Sequence, residues 1–197
     1  MKKFFALLLA AVMVLSMAAC GKTETNGNGD TTPETTVAPT VPTTEAAPVA
    51  ESALEILETV WAQFGDDEKF YVIGGDFESM VDAAPGKAEN PDFLAGNLLV
   101  PADQTVTEAA SMIHGMNANT FTCAAYAVED AQTFATAMQT AIQGNQWMCG
   151  FPEKLLIAEV GGYVVVVFGH GDAVGPFQAK LTAAYPTTNV LVDEAIG

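Results

Sequence analysis

The sequence LLIAEV-GG-YVVVVF, residues 155–168, decides the fold of this chain. Its two apolar, β-branched runs have the composition of strands, and Gly161-Gly162 between them is a two-residue hairpin signal. The run 163–168 has no polar position, so we expect a central strand that is covered on both faces. The run 155–160 should then lie antiparallel along one of its edges.

The segments around this hairpin predict a sheet that is crossed by helices. Residues 121–128 have a strand pattern, and residues 130–142 follow with apolar side chains on one helical face. A last helix is predicted over residues 173–185, with Pro176 tolerated in its first turn. The resulting β-α-β-β-α unit places strand 163–168 between the other two, a split β-α-β arrangement as in ferredoxin-like folds. The predicted class is α+β with a small, mainly antiparallel sheet.

The N-terminal part of the domain is predicted to place helices over the rest of the sheet. Ser52 caps an amphipathic helix that continues to Phe64. Residues 70–73 have the composition of a short strand, and residues 77–84 that of a helical turn that ends at a Pro-Gly pair.

A second N-terminal helix is predicted from a capping signal. The motif Thr105-Val106-Thr107-Glu108 has the form of a capping box, and it predicts a helix that ends near His114. The inward-facing residues of that helix would be Val106, Ala109, Ala110 and Ile113. Residues 93–100 fit either a strand or irregular structure.

The first twenty residues have the parts of an export signal. Lys2 and Lys3 precede an apolar run over residues 4–14, and the segment closes on Ala18-Ala19-Cys20. The apolar stretch is shorter than the ~20 residues that span a bilayer, which argues against an uncleaved anchor helix. A cysteine after small residues resembles the lipobox of bacterial lipoproteins, and that resemblance implies cleavage before Cys20 and acylation of this cysteine. A plain signal peptide with an incidental cysteine is the alternative.

Composition divides the chain into three parts. Residues 1–19 are the predicted signal peptide, residues 20–50 a Thr/Pro-rich disordered linker, and residues 51–197 one globular domain. The linker has no aromatic residue and no apolar periodicity, so it cannot offset the entropy of ordering. In this plan the chain resembles uncharacterised surface lipoproteins of Gram-positive bacteria that carry one small domain of unknown function. The resemblance implies a lipid-anchored location on the outer, extracytoplasmic face of the cell membrane, and it assigns no catalytic residue.

The charge balance excludes one class of partner. Acidic residues number 24 against seven lysines and no arginine, for a formal net charge of −17. Such a surface repels phosphate backbones, so nucleic acid is not an expected partner. It also repels anionic lipid headgroups, so the lipid on Cys20 has to hold the protein at the membrane.

Few residues are candidates for chemistry. Cys123 lies in the middle of a predicted strand, where a buried free thiol is expected, and Cys149 lies in a loop after a helix. The two thiols could pair, since export permits disulfides, and a reactive Cys149 is a further alternative. His114 and His170 are far apart in the sequence, and neither belongs to a metal-binding spacing. No metal and no cofactor are predicted.

Two loops concentrate unusual residue types. Trp147, Cys149 and Phe151 precede the hairpin, where they could line a pocket or partner groove, or form a hydrophobic plug under the sheet. His170 and Asp172 lie in a glycine-rich turn between a strand and a helix. Backbone N–H groups there could hold an anion, although a tight turn and a helix cap also explain the glycines.

The sequence leads to two functional hypotheses. The first is a lipid-anchored extracytoplasmic envelope protein, joined to the membrane through Cys20, that works as a non-enzymatic binding module for an envelope protein, a glycan or a small ligand. The second is a small extracytoplasmic enzyme that uses Cys149 or His170. The predicted anchor and linker, with no catalytic motif in the sequence, favour the first.

Overall fold

The structure, a computed structural model, describes residues 49–197. The predicted signal peptide, Cys20 and nearly all of the predicted linker lie outside the described residues. The described elements are, in order, α1 Ala53–Trp61, β1 Val72–Gly74, β2 Val81–Asp82, β3 Gly86–Lys87, α2 Pro91–Gly96, β4 Glu108–His114, β5 Phe121–Ala127, α3 Ala131–Gly144, β6 Lys154–Val160, β7 Tyr163–Gly169, α4 Gly171–Ala184 and β8 Asn189–Ala195. No helix within residues 49–197 has both the length and the apolar character needed to cross a bilayer.

All eight strands of the described domain belong to one antiparallel sheet. Its order is β2-β1-β4-β5-β7-β6-β8, and β3 pairs with β4 along the same edge as β1. Strand β7 lies between β5 and β6, as the sequence predicts. The predicted α+β class with a split β-α-β unit is therefore confirmed.

The turn at Gly161-Gly162 joins β6 to β7. Its two residues have φ values of 58° and 91°, the pair of positive values that a type I′ turn requires and that glycine adopts without strain. The turn places Val160 opposite Tyr163 and so sets the register of the whole hairpin.

Two helical crossovers cover the two faces of the sheet. Helix α3 connects β5 to β6 across β7, and α4 connects β7 to β8 across β6. Both crossovers move along the sheet toward β8, but they start from β5 and β7, which run in opposite directions. If both connections are right-handed, as crossovers between parallel strands are, the two helices lie on opposite faces of the sheet. The side chains of β7 alternate accordingly: Val165 and Val167 pack under α4, and Val164 and Val166 pack under α3.

Each face of the sheet has its own hydrophobic core. The core on the face that α4 covers, which we call the α4 core, also contains α1, and its aromatic members include Trp61, Phe121 and Phe177. The core on the opposite face, under α3, is the α3 core. It also contains α2 and includes Tyr126 and Phe134, whose ring centroids lie 5.1 Å apart. Coverage of both faces explains why the central strands lack an apolar–polar alternation.

The helix predicted from the 105–108 motif is wrong, because residues 108–114 form strand β4. A strand that is buried on both faces has apolar residues at adjacent positions, and this pattern resembles one face of a helix. The buried apolar residues of β4 are divided between the two cores, and they are Ala109, Ala110 and Met112. Glu108 is the first residue of this strand and therefore does not form the predicted capping box. Its carboxylate accepts a hydrogen bond from the Ala53 N–H at the start of α1, over 2.9 Å.

Three smaller elements also differ from the sequence prediction. Residues 91–96 form α2, whose first turn is capped by the Asn90 side chain accepting from the N–H groups of Asp92 and Phe93. The predicted helical turn over residues 77–84 contains the short strand β2. Strand β8 was not predicted, since it is an edge strand with no fully buried residue.

Helix α4 begins earlier than predicted. Its first residue is Gly171, two positions before the predicted start, so Pro176 lies in the second turn and not in the first. Proline has no N–H to donate, so the main-chain carbonyl of Asp172 lacks the helical partner that it would otherwise have four residues later.

Candidate functional site at the loop end of the sheet

The predicted site residues lie at one end of the sheet, which we call the loop end. It is formed by the connection between β4 and β5, residues 115–120, by the connection between α3 and β6, residues 145–153, and by the start of α4. His170, Asp172, Trp147, Cys149 and Phe151 all belong to these segments or border them. The antiparallel register brings the segments together because β4 and β7 end where β5 and β6 begin.

Side-chain amides bind the two loops to each other. The Asn119 side-chain NH2 donates to the carbonyls of Met148 and Gly150, over 2.8 and 3.0 Å. The Asn117 side-chain NH2 donates to the Cys149 carbonyl over 3.0 Å, and its oxygen accepts from the Asn119 N–H. The two connections therefore form one hydrogen-bonded unit.

The two hydrogen-bonded connections expose large apolar side chains to solvent. Met116 is 83% exposed, Met148 79% and Phe151 72%. Between them, Cys149 has a φ of 64° and Gly150 a φ of 126°, so the chain turns sharply at the point where the asparagines hold it. Phe151 is thus part of a surface and does not plug the sheet.

Trp147 has the buried role that the sequence left as one alternative. It packs against the α3 core, where its ring centroid lies 5.4 Å from that of Phe168. Its indole N–H is buried and has no hydrogen-bond acceptor among the described residues. The predicted cluster therefore divides, with Trp147 beneath the loop and Phe151 on its surface.

The start of α4 is occupied by the chain itself. His170 is the N-cap residue, and its side chain makes no capping hydrogen bond, while its N–H donates to the Thr120 carbonyl over 2.9 Å. The Gly171 N–H donates to a carboxylate oxygen of Glu153 over 3.0 Å. Glu153 thus takes a position that an external anion would need at this helix end.

A cavity of about 370 Å³ opens beside α4 on the α4-core side of the loop end. Its walls are aromatic and small apolar residues together with two carboxylates, a histidine and a threonine. The residues that line it are Phe64, Glu68, Phe70, His114, Thr120, Asp172, Ala173 and Pro176. The cavity thus brings together His114 and Asp172, which are distant in the sequence.

His114 is the last residue of β4 and not the end of a helix, as was predicted. Its Nδ1 accepts from the N–H groups of Met116 and Asn117, both over 3.2 Å, so it caps the turn that leads into the loop end. This arrangement assigns the proton of the neutral ring to Nε2. The ring stacks on Phe70, with centroids 5.6 Å apart and planes at 21°.

The other acidic residue of the cavity is neutralised within the chain. One oxygen of Glu68 lies 2.9 Å from the Lys180 ammonium, and the other accepts from the Gly65 N–H over 2.8 Å. The Gly65 N–H, followed by Lys180, lowers the pKa of the Glu68 carboxyl. Asp172 makes no hydrogen bond or ion pair to any described side chain, so the cavity keeps one free carboxylate.

The two cysteines of the domain are both free thiols. Cys123 is buried in the α4 core, where burial raises the pKa of its thiol well above the ordinary value. Cys149 is exposed on the loop end. The Cys149 carbonyl accepts the hydrogen bond from the Asn117 side chain. Within residues 49–197 no group of three or more His, Cys, Asp and Glu residues is arranged to hold a metal ion.

Sequence reasoning missed one highly organised carboxylate, that of Asp76. It is only 6% exposed, and its two oxygens accept hydrogen bonds from four backbone N–H groups and one hydroxyl. Burial alone would raise the pKa of Asp76, but the hydrogen bonds from Asn90, Glu78, Ser79 and Glu89 outweigh it and hold the pKa well below the ordinary value. The only sequence signal was its place directly after Gly74-Gly75, where a turn is expected.

Another depression, of about 610 Å³, lies between α3 and the loop at residues 101–104. Its lining is chiefly threonine, glutamine, alanine and proline, and Asp103 is its single titratable residue. It offers fewer convergent polar and aromatic groups than the cavity beside α4.

Comparisons of the chain with protein-family models, with curated proteins and with solved structures give no match. The candidate site is defined by its own geometry: a braced loop end with three exposed apolar side chains, and beside it an aromatic cavity with one free carboxylate.

Proposed function

We propose that this chain is a lipid-anchored extracytoplasmic protein whose domain works as a non-enzymatic binding module. Support for the anchor is in the sequence, where a basic start and an apolar run lead to Ala18-Ala19-Cys20. The observation that carries the binding function is the loop end, with Met116, Met148 and Phe151 exposed on loops that side-chain amides join by hydrogen bonds. We assign the binding of the partner to this surface.

Exposed apolar side chains on braced loops are well suited to binding. Leaving three large apolar groups in water forgoes the ~25 cal/mol per Å² that burial contributes, which a partner can restore. Methionine adapts to irregular surfaces, and an aromatic side chain supplies a large contact area. The asparagine bridges reduce the conformational entropy that the loops would lose on binding.

The loop end lies opposite the point where the linker joins the domain. Ala50 packs against Gly161 in the β6–β7 turn, and the Tyr163 hydroxyl donates to the Glu51 carbonyl over 3.0 Å. From this turn, β7 runs the length of the sheet to Gly169 at the loop end, roughly 20 Å away at the usual rise per residue. The loop end and the residues where the predicted linker meets the domain therefore lie at opposite ends of β7.

Charge favours an envelope protein with a basic, apolar surface as the partner. The chain has 24 acidic residues against seven basic ones, and Glu153 and Asp172 lie at the loop end. A second copy of the chain would bring like charges together, which costs binding energy. A basic partner would be attracted at low ionic strength and would bury its apolar groups against the methionines.

Site-specific photocrosslinking in the native cells tests this function. A photoreactive residue in place of Met148 should give a discrete adduct, and the same residue in place of Val190, an exposed apolar position on β8, should not. The adduct should disappear in a Phe151→Ser background, and the crosslinked protein, once identified and purified, should bind the full chain with an affinity that Phe151→Ser lowers at least tenfold. Equal adducts from positions 148 and 190, or insensitivity to Phe151→Ser, would overturn the proposal.

A further inference from the structure

The wall of the cavity beside α4 contains two aromatic rings, those of Phe64 and Phe70. The Lys180 ammonium lies 4.6 Å from the centroid of the Phe64 ring, and outside the cavity the Lys69 ammonium lies 5.7 Å from that of Trp61. Trp61 packs against both Phe64 and Phe70, with ring centroids 4.9 and 5.5 Å apart. Because Phe64 already carries an ammonium group of the chain, Phe70 and Pro176 are the apolar part of the wall that remains for a ligand.

Two residues of the cavity wall have side-chain acceptors without a partner. Asp172, an exposed residue of the wall, has no hydrogen-bond or ion-pair partner for its carboxylate in the described residues, because the Lys180 ammonium is bound to Glu68. Thr120 belongs to the same wall, and its hydroxyl makes no hydrogen bond within residues 49–197. Pro176, also in the wall, leaves the main-chain carbonyl of Asp172 without its helical donor. A group with several N–H donors would satisfy these acceptors.

The histidine of the cavity is engaged with the backbone. His114 accepts two backbone N–H groups at Nδ1, so this nitrogen is not available to a ligand. The Lys180 ammonium, which lies over Phe64, forms an ion pair with Glu68. Asp172 is therefore the carboxylate of the cavity that has no charged partner among the described residues.

We propose that this cavity binds a small primary ammonium compound with an apolar body. The ammonium would lie between the Asp172 carboxylate and the Thr120 hydroxyl, and the apolar body would pack on Phe70 and Pro176. A volume of about 370 Å³ is within the range of small-molecule sites and accommodates a body of one aromatic ring. This inference does not rest on the loop-end function, since Met148 and Phe151, the residues that test that function, do not line the cavity.

Binding of benzylamine and of its uncharged counterpart benzyl alcohol to the full chain tests the inference. Isothermal titration at low salt should show at least tenfold tighter binding of benzylamine, and 0.5 M NaCl should weaken benzylamine binding selectively. Phe70→Leu keeps an apolar wall but removes the aromatic face on which the apolar body packs, so it should weaken benzylamine and benzyl alcohol alike. Equal affinities for the two compounds would refute a site for ammonium groups.

A matched pair of variants isolates the role of Asp172. Asp172→Asn should lower benzylamine affinity about tenfold and leave benzyl alcohol unchanged. Asp92→Asn removes a carboxylate from the equivalent first-turn position of α2, outside the cavity, and should change neither. If Asp172 served only to stabilise the start of α4, both variants would lower the unfolding temperature slightly and neither would change benzylamine binding. That result would overturn the proposed site, whereas failure of the loop-end crosslinks would leave it standing.

Discussion

The Asp76 carboxylate connects the turn after β1 with the segment that leads into α2. One carboxylate oxygen accepts from the N–H groups of Glu78 and Ser79, both over 3.0 Å, and from the Ser79 hydroxyl. The other accepts from the N–H groups of Glu89 and Asn90, both over 2.8 Å. Asn90 is the cap of α2, so one side chain fixes the turn after β1 against the start of that helix.

Replacing Asp76 by asparagine should destabilise the domain substantially. One oxygen would become an NH2 group facing backbone N–H donors, which leaves buried donors without acceptors. We expect a loss of about 3 kcal/mol in the free energy of unfolding, measured by urea denaturation. The control Asp103→Asn, at an exposed carboxylate, should change it by less than about 0.5 kcal/mol. Equal effects of the two changes would show that the hydrogen bonds of Asp76 contribute little.

The same carboxylate gives the stability a defined pH dependence. The pKa of Asp76 is lower in the folded state than the ~3.9 of an unfolded aspartate, so its contribution is present above that value and is lost as the pH falls toward the folded-state pKa. The gap in stability between the wild-type chain and Asp76→Asn should therefore narrow below about pH 4. Urea midpoints at pH 6, 4 and 2.5 measure it, and a constant gap would contradict this account.

Individual site residues were predictable from the sequence only as isolated candidates. Phe151, His170 and Asp172 were singled out by their residue types and loop positions, and the structure places them at one end of the sheet. The meeting of His114 with Asp172 was not predictable, because it depends on β4 being a strand that ends beside the start of α4. Tertiary pairing, and not spacing along the chain, brings these two together.

Strand β7 is the element on which both cores depend. It pairs along its full length with β5 and β6, and its valines face both layers of helices. Amides of such a strand open only when the whole domain unfolds, so they should exchange with deuterium most slowly.

A charge on either face of β7 should unfold the domain. Val165→Asp would bury a carboxylate in the α4 core and Val166→Asp one in the α3 core, each at a cost of several kcal/mol. The control Val190→Asp lies on edge strand β8 at 42% exposure and should cost less than about 1 kcal/mol. Circular dichroism melting distinguishes these outcomes. A stable Val165→Asp or Val166→Asp protein would be incompatible with a doubly covered central strand.

The elements differ in how far the sequence could specify them. The β6–β7 hairpin, β5 and α3 were predictable because their turns, caps and periodicities agree with one another. Strand β4 was misread because burial on both faces removes the alternation that distinguishes a strand. Strand β8 was missed for the opposite reason, since at the sheet edge it buries too little for an apolar pattern to form.

At the scale of the whole molecule, the proposed anchor makes a direct prediction. Intact mass of the full-length product extracted from membranes should show cleavage before Cys20 and the added mass of acyl chains. Cys20→Ala should release the domain from the membrane or leave an uncleaved precursor, because no thiol is left to acylate. A Cys149→Ala variant is the matched control and should leave both mass and membrane retention unaltered apart from the substitution. Membrane retention of a normally cleaved Cys20→Ala protein would contradict the anchor.

The two edge strands of the sheet, β2 and β8, affect how copies of the domain can associate. One terminal strand, β2, has only two residues, and the other, β8, carries Asp193 and Glu194 and shifts register against β6 between Ile157 and Ala158. The Lys154 ammonium forms an ion pair with Asp193, and two glutamine side chains of α3 donate hydrogen bonds to Glu194. Both carboxylates are therefore fixed in position at this edge of the sheet. A short strand and an irregular, charged strand are poor templates for pairing between sheets. Copies of the domain that come close together would consequently resist stacking into fibres.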